Sequence, residues 1–291
     1  MNIGGSPIRH RVVLCTSGGL FGAAVLRRVL GAAEIEVVGV VISTRNFKLN
    51  QSLIGATRFA LRQFGARYLH YITVSTLLAD FWGGISRKST RAIATTQKIP
   101  IHECEQINDS LSLQWMGALK PDVVLSAFFN QKIGESVLKL SSKGVLNIHP
   151  SLLPRFRGVD PVFQMQRRGE VAYGATLHRV DLELDEGNII EQAALSPPQD
   201  GSTLNLTARS FELGADLFVN AIRDGTAFGA GFPQSLKGQS DCYDSWPTRE
   251  QVEEFTRRGE RLWRWSDLST FIFGRYDGKA PTVGGDHIEH R

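Results

Sequence analysis

Three polar side chains with complementary chemistry stand near the middle of the sequence. Asn147 and His149 lie two residues apart at the end of an apolar run, and Asp185 follows in a turn just before Gly187. Alternation along a strand places Asn147 and His149 on one face. A carboxamide and a protonated imidazole can stabilise the oxyanion that forms when an amine attacks a carbonyl carbon. A carboxylate orients the imidazole and favours its protonated form. These residues together predict direct acyl transfer to an amine.

Each of these residues also has an ordinary structural explanation. An Asn at a strand end is usually a turn residue, a single His is more often satisfied structurally, and Asp185 can simply shape a turn. Taken singly, each structural explanation is the better one, and only the combination favours catalysis.

The elements that must position these side chains alternate between strands and helices. Residues 11–16, 36–42, 122–129 and 144–149 are apolar runs typical of strands buried on both faces, with helical periodicity between them. This alternation predicts an α/β fold with an open, mostly parallel sheet.

The second half of the chain has a different pattern. Residues 175–180 and 189–193 predict an antiparallel edge around the acidic turn, and 203–224 predict a long helix. The spacing of Thr248 and Gln251 predicts a capping box at the start of a further helix.

A glycine-rich turn follows the first strand. Only Gly19 and Gly22 fit the dinucleotide fingerprint G-x-G-x-x-G, because Ser17 stands at the position of its first glycine. The strand at 37–42 also has no acid that could bind a ribose hydroxyl. The turn therefore predicts a tight entry into a helix. A site for an anionic part of a substrate at the helix N-terminus is the alternative.

Composition excludes several other classes. The 291 residues are 42% hydrophobic and 21% charged, with a net charge of +4. This balance is typical of a soluble globular protein and gives no nucleic-acid signal. Three separated cysteines, no membrane-length apolar run and no apolar signal core predict a cytoplasmic protein that does not bind membranes. His102 and Cys104 lack a second ligand pair, so no metal site is predicted.

Two segments have no assigned role. Residues 66–101 are less periodic and contain glycines and basic residues, which predicts an exposed excursion.

The apolar residues at 53–64 predict a helix that ends at Gly65. Residues 276–291 are polar and rich in glycine, which predicts a frayed end.

The sequence resembles the folate-dependent formyltransferases. The resemblance rests on five stretches in the family's order, and it covers roughly residues 11–228. They are residues 121–125, the run Asn-Ile-His-Pro-Ser-Leu-Leu-Pro at 147–154, Arg157-Gly158, residues 174–178, and Asp-Glu-Gly-Asn-Ile at 185–189. The run at 147–154 is the most specific of them.

The resemblance implies a Rossmann-like catalytic domain, the formyltransferase fold, over residues 1–230. A small C-terminal segment, 231–291, would then follow. It implies 10-formyltetrahydrofolate as the cosubstrate. Asn147 and His149 would hold the formyl oxygen, while Asp185 would position the imidazole and assist proton movement.

The resemblance also implies a folate-binding cleft between two loops. One loop follows the strand at 122–129 and the other contains Asp185. The residues carried over to this cleft are Phe128, Phe129, Asn130, Val180 and Asp181. Residues 127–133 depart from the family's commoner glycine-aromatic form, so these assignments rest on position alone.

The formyl acceptor is predicted by exclusion within the family. Residues 236–291 carry 9 Lys and Arg against 10 Asp and Glu, and they are short for the RNA-binding barrel of methionyl-tRNA formyltransferases. We expect the amine or hydroxylamine of a small molecule, such as a nucleotide-linked amino sugar or an amino-acid derivative. A methionyl-tRNA formyltransferase-like enzyme and a formyltetrahydrofolate hydrolase are the alternatives, and a homodimer is left open.

Overall fold

The computed structural model describes residues 9–47, 52–85, 87–196, 201–234 and 243–267. Its centre is a seven-stranded sheet in the order β3-β2-β1-β4-β5-β7-β8, and a two-stranded sheet pairs β6 with β9. The strands are β1 (His10–Thr16), β2 (Ile35–Ser43), β3 (Ile101–Cys104), β4 (Val123–Ala127), β5 (Val145–His149), β6 (Arg157–Gly158), β7 (Tyr173–Arg179), β8 (Ile189–Leu195) and β9 (Tyr243–Asp244).

The predicted α/β fold is confirmed. Strands β3, β2, β1, β4 and β5 run parallel, and β7 is antiparallel to both β5 and β8. The apolar runs predicted this arrangement because a strand covered by helices on both faces must be apolar throughout. The antiparallel pair β7–β8 joins through the acidic turn, as predicted.

Helices cover both faces of the sheet in the part of the chain described. They are α1 (Gly19–Leu30), α2 (Leu53–Gln63), α3 (Gly65–Thr73), α4 (Ala79–Ile85), α5 (Thr90–Thr96), α6 (Ser110–Ala118), α7 (Glu135–Leu138), α8 (Pro161–Arg167), α9 (Thr203–Asp224) and α10 (Arg249–Arg257). A π-helical turn, Val74–Leu78, joins α3 to α4, and a 3-10 turn, Thr226–Phe228, follows α9.

Alternating residues of the strands feed two separate apolar cores. Val12 and Leu14 of β1 belong to the larger core, together with residues of α1 and α9, whereas Val13 and Cys15 belong to the smaller core with Met116 of α6. Because successive strand residues point to opposite faces, the two cores lie on opposite sides of the sheet.

The prediction of an exposed excursion at 66–101 is wrong. The chain there forms α3, the π-helical turn, α4 and α5, and Tyr68 and Tyr71 are 1% and 3% exposed in the larger core. The predicted end of the preceding helix is confirmed, because α2 ends at Gln63 and Gly65 has a left-handed φ of 79°, and α3 begins at that same glycine.

The apolar periodicity of α2 also marks a surface that is not buried. Leu53 and Ile54 are 72% and 68% exposed, and the residues of α2 that are buried are Ala56 and Ala60. Small alanines allow close approach of the helix to the protein, and the large side chains remain in solvent.

The described part of the C-terminal segment packs on the same core as the rest of the chain. Phe255 of α10 lies 4.9 Å from Phe163 of α8 between ring centroids, and Val252 and Leu262 are also buried in the larger core. The predicted capping box is present, because Thr248 Oγ1 accepts from Gln251 N and Gln251 Oε1 accepts from Thr248 N. The frayed end predicted at 276–291 lies outside the described residues.

Candidate active site

Asn147 and His149 lie on the same face of β5, on the side of the smaller core. The antiparallel register places His178 of β7 opposite Asn147 and Thr176 opposite His149. Ile148, between them, is buried in the larger core on the other side. The predicted spacing of the two polar side chains is therefore built into the strand itself.

The ring of His149 is held by the loop that leaves β5. His149 is 4% exposed, and its Nε2 lies 2.9 Å from the carbonyl oxygen of Phe156. A carbonyl oxygen can only accept, so Nε2 carries the proton of this hydrogen bond. The loop is fixed in turn by Thr176, whose Oγ1 donates to Ser151 O and accepts from Leu153 N.

Asp185 lies in the turn between β7 and β8 with one oxygen near both imidazoles. Its Oδ2 accepts a hydrogen bond from Gly158 N at 3.0 Å. Its Oδ1 lies 3.7 Å from His149 Nδ1 and 3.8 Å from His178 Nε2. These distances exceed those of a direct hydrogen bond but keep the carboxylate within reach of either ring for charge stabilisation.

His178 is a member of this cluster that the sequence did not assign to the site. Its Nδ1 lies 2.8 Å from the carbonyl oxygen of Arg179 and therefore donates to it, which leaves Nε2 as the acceptor for the amide of Asn147 at 3.0 Å. Burial lowers the pKa of His178 to about 4, and the neighbouring Asp185 opposes this shift. His178 is therefore neutral near pH 7.

The available signal for His178 was its strand register. It ends the stretch 174–178 that contributed to the family resemblance, and an antiparallel partner of β5 must place one residue opposite Asn147. Sequence alone did not show which residue that would be, because the pairing depends on how β7 is aligned with β5.

The five residues predicted for folate binding do not form one surface. Phe129 and Val180 pack beside the smaller core, on the same face as Asn147. Phe128 does not share the surface of Phe129 and Val180. Its ring packs on the opposite face of the sheet, 4.9 Å from Phe21 and 5.9 Å from Phe211 between ring centroids. Phe128 follows the last residue of β4 and has φ 50°, in the left-handed region, so the alternation of the strand does not continue and its ring lies on the face opposite that of Phe129.

The other two predicted residues have local hydrogen bonds. Asn130 Nδ2 donates to Arg45 O at 2.8 Å, and its Oδ1 lies 2.6 Å from Ser43 Oγ, so its amide joins the ends of β2 and β4. Asp181 is exposed, and its Oδ1 accepts from Leu182 N.

The glycine-rich turn holds a carboxylate of the protein itself. Gly18 and Gly19 have φ values of 75° and 64°, and Gly19 N donates to Asp80 Oδ1 at 3.1 Å. A side chain of α4 therefore occupies the N-terminus of α1. Burial raises the pKa of Asp80, partly offset by this hydrogen bond and by the nearby Arg91.

Two further classes of feature were searched over the described residues. That part of the chain contains no group of three or more His, Cys, Asp or Glu side chains arranged to hold a metal ion. It also contains no helix that is both long and apolar enough to span a membrane.

Comparison with known folds and families identifies the class of this chain. Its sheet and helices match those of Brucella melitensis phosphoribosylglycinamide formyltransferase with a TM-score of 0.51 and 23% identity, over 77% of this chain and 99% of that one. A sugar N-formyltransferase from Shewanella sp FDAARGOS_354 matches with a TM-score of 0.51 and 15% identity, over 81% of this chain and 76% of that one. These similarities define an α/β fold of the formyltransferase type.

The sequence comparisons define the family. Residues 79–222 match the family model described as formyl transferase. The methionyl-tRNA formyltransferase of Syntrophus aciditrophicus (strain SB) is 32% identical over 191 residues, 66% of this chain and 58% of that protein. That of Roseiflexus sp. (strain RS-1) is 35% identical over 167 residues, 57% of this chain and 51% of that protein. Residues 79–222 therefore form a formyl transferase domain, which confirms the resemblance over this part of the chain.

The match covers only part of these relatives. The chain spans 58% of the Syntrophus protein and 41% of a Thermotoga maritima relative of the same name. The chain therefore corresponds to about half the length of the curated relatives that it matches.

Proposed function

We propose that this protein transfers a formyl group from 10-formyltetrahydrofolate to the amine or hydroxylamine of a small molecule. The observation that carries the proposal is the convergence of Asn147, His149 and Asp185 at the end of β5, with the carboxylate 3.7 Å from the imidazole. This is the combination of groups that direct acyl transfer requires.

Asn147 supplies an oriented donor for the formyl oxygen. One hydrogen of its Nδ2 is directed to His178 Nε2, which fixes the orientation of the amide because the neutral ring can only accept at that nitrogen. The second Nδ2 hydrogen has no partner among the described residues. It donates to the formyl oxygen as negative charge develops there, and a donor already in place needs no reorganisation.

His149 and Asp185 complete the charge balance. His149 donates through Nε2 to Phe156 O, and its Nδ1 lies 3.7 Å from the Asp185 carboxylate, which stabilises positive charge that develops on the ring. The amine nitrogen forms a bond to the formyl carbon, the bond from that carbon to N10 of the donor breaks, and one proton passes from the amine to N10. Asp185 is the nearest carboxylate to accept and return that proton.

The residues beside the trio suit a folate donor. Phe129 and Val180 provide partly buried apolar surface on the face of Asn147, and the exposed Asp181 provides hydrogen-bond acceptors at its edge. An apolar wall with a few polar groups is the usual form of a site for a flat heterocycle. Phe128 packs on the other face of the sheet, and the exposed Asn130 joins the ends of β2 and β4 through its amide.

The charges around the loop that follows β5 favour a small acceptor. Arg155 and Arg157 of this segment and Arg168 at the end of α8 are each paired with a carboxylate, whereas Arg167 donates to Gln164, so little uncompensated positive charge faces a polyanion here. The ion pairs are Arg155–Glu170, Arg157–Glu186 and Arg168–Asp244.

A methionyl-tRNA acceptor is the second candidate. It is favoured by the names of the relatives, which are methionyl-tRNA formyltransferases over the matched residues. Filter binding of initiator tRNA at low and high salt distinguishes the two candidates. We expect no tight complex, whereas a tight complex that weakens steeply with salt would favour the tRNA acceptor.

The test of the proposed function has two stages. Thermal unfolding is first measured with increasing concentrations of a stable formyl-folate analogue, which must raise the unfolding temperature if it binds only the native protein. A panel of amino sugars attached to nucleotides and of amino-acid-derived amines is then incubated with protein and 10-formyltetrahydrofolate. We expect a mass increase of one formyl group on one class of amine. No thermal shift at saturation and no formylated amine would overturn the proposal.

A further inference from the structure

The turn that carries Asp185 is held by a glutamine from a distant part of the chain. Gln234 Nε2 donates to the carbonyl oxygen of Asp185 at 2.9 Å and to that of Gly187 at 2.7 Å. Gln234 follows α9, 49 residues after Asp185 in the sequence. Neither the catalytic trio nor the proposed folate wall includes it.

The backbone of Asp185 needs such a support. Asp185 has φ 55°, in the left-handed region where the Cβ of an L-residue crowds its own backbone. A residue keeps this conformation only when its surroundings enforce it. The two hydrogen bonds from Gln234 fix the carbonyl groups on both sides of Glu186, and they therefore define the path of the turn.

The amide of Gln234 has one workable orientation. Both of its partners are carbonyl oxygens, which cannot donate, so the NH2 group must face them. Its Oε1 is buried and has no hydrogen-bond partner among the described residues. The side chain therefore acts here as a double donor, and a carboxylate of the same shape could not replace it.

The same C-terminal region also supports the group that binds the Asp185 carboxylate. Strand β9 pairs with β6, and Val159 N donates to Asp244 O at 2.7 Å. This pairing fixes Gly158, whose N–H donates to Asp185 Oδ2. One region of the chain thus holds the turn through Gln234 and the donor to its side chain through β9.

We propose that Gln234 is a positioning residue that holds the Asp185 carboxylate between His149 and His178. The proposal rests on the proposed function for its catalytic consequence, but the placement of Asp185 can be tested without turnover. Loss of the two donors lets the turn relax out of the left-handed conformation. The carboxylate then leaves both Gly158 and the imidazoles.

The experiment compares Gln234→Leu and Gln234→Glu with Gln166→Leu as the matched control. Gln166 is a buried glutamine that donates to the carbonyl of Gly201 and accepts from Thr203 Oγ1, so its loss removes a donor to a backbone carbonyl, and one further hydrogen bond, away from the site. Hydrogen exchange of the Gly158 amide reports directly on the Asp185 carboxylate. We expect at least about tenfold faster exchange in both Gln234 variants and wild-type exchange in Gln166→Leu.

Activity is measured in the same proteins as release of tetrahydrofolate from 10-formyltetrahydrofolate, with the panel of amines and with water as acceptors. We expect kcat to fall about 10- to 100-fold in both Gln234 variants, with the KM of the donor changed less than about threefold. In the Asp185→Asn background, Gln234→Leu has no further effect on kcat, because it acts through that carboxylate.

The outcomes separate the two proposals. Wild-type Gly158 exchange and wild-type kcat in Gln234→Leu overturn the positioning role, and retention of both in Gln234→Glu overturns the requirement for a donor. If Gly158 exchange changes as expected but wild-type protein releases no tetrahydrofolate, the proposed function fails while the placement of Asp185 by Gln234 stands.

Discussion

The carboxylates of Asp80 and Asp185 each accept a hydrogen bond from a glycine N–H, but their other neighbours differ. Asp80 accepts from Gly19 N at 3.1 Å, and Asp185 accepts from Gly158 N at 3.0 Å. The second oxygen of Asp185 lies between the rings of His149 and His178. No such ring lies against Asp80 among the groups that influence its pKa, which are Gly19 and Arg91.

If Asp185 acts as we propose, the difference separates a structural carboxylate from a reactive one. Asp80 caps the N-terminus of α1, which has no acidic residue of its own in the first turn. Its hydrogen bond satisfies a backbone donor, and the nearby charge is that of Arg91. Asp185 uses one oxygen for the same purpose and keeps the other for groups that can carry a proton. The glycine donor is common to both sites, so it cannot be the feature that indicates chemistry.

Neutralising each carboxylate in turn tests this difference most directly. Asp185→Asn keeps the size of the side chain but removes the charge facing the imidazoles, and we expect kcat to fall about 1,000-fold. Asp80→Asn keeps an oxygen that can accept from Gly19, and we expect kcat within about twofold of wild type. Formyl transfer with the acceptor found in the amine screen is the measurement.

Two results would contradict this prediction. Near-normal turnover in Asp185→Asn would remove the carboxylate from the mechanism. A large loss in Asp80→Asn, with normal thermal stability, would mean that the glycine-rich turn takes part in substrate binding. Thermal unfolding of both variants is the control for folding.

A second prediction concerns His178, the neighbour that distinguishes Asp185 from Asp80. Because burial lowers its pKa from 6.5 to about 4, the folded protein binds fewer protons than the unfolded chain between these values. Its contribution to stability is therefore complete above pH 6.5 and is lost as the pH falls towards 4, by up to about 3 kcal/mol. His178→Gln removes this dependence.

Urea unfolding at pH 7 and pH 4.5 checks the prediction. The free energy of unfolding of wild type should fall more over this interval than that of His178→Gln, because all other titrating groups are shared. Parallel curves for the two proteins would show that His178 is not buried in its neutral form.

The sequence predicted those features that depend on local patterns. Strands β1, β4 and β5 are continuous apolar runs, and the bounds of α9, Thr203–Asp224, follow from an amphipathic repeat between a serine cap and a glycine. Asn147 and His149 could be predicted because a strand fixes which residues share a face. Asp185 could be predicted because an acid before Gly187 marks a turn.

The features that were missed depend on contacts between distant residues. The buried side chains of α3 do have helical spacing, because Phe64, Tyr68 and Tyr71 lie four and three residues apart, but the core that they enter is built by distant residues. Asp160, which accepts from Tyr68 at 2.6 Å, is 92 residues away. The direction of the Phe128 ring could not be predicted because the chain leaves the strand after Ala127 and Phe128 has φ 50°. The place of His178 opposite Asn147 depends on the register between β5 and β7. The role of Gln234 depends on its contact with a turn 49 residues earlier in the chain.

The smallest expected effect concerns the negative charge of Asp80, which burial disfavours and which Gly19 and Arg91 favour. Burial raises the pKa of Asp80 above its usual value of 3.8, so the folded protein binds more protons than the unfolded chain just above that pH. The contribution of Asp80 to stability is therefore present at acid pH and is lost as the pH rises through its folded pKa. We expect the free energy of unfolding of wild type, relative to that of Asp80→Asn, to fall between pH 4 and pH 7. Urea unfolding at four pH values measures it. A relative stability that rises with pH would mean that the N-terminus of α1 and Arg91 attract an anion more strongly than burial opposes it, and the turn would then be able to bind an anionic group if Asp80 moved away.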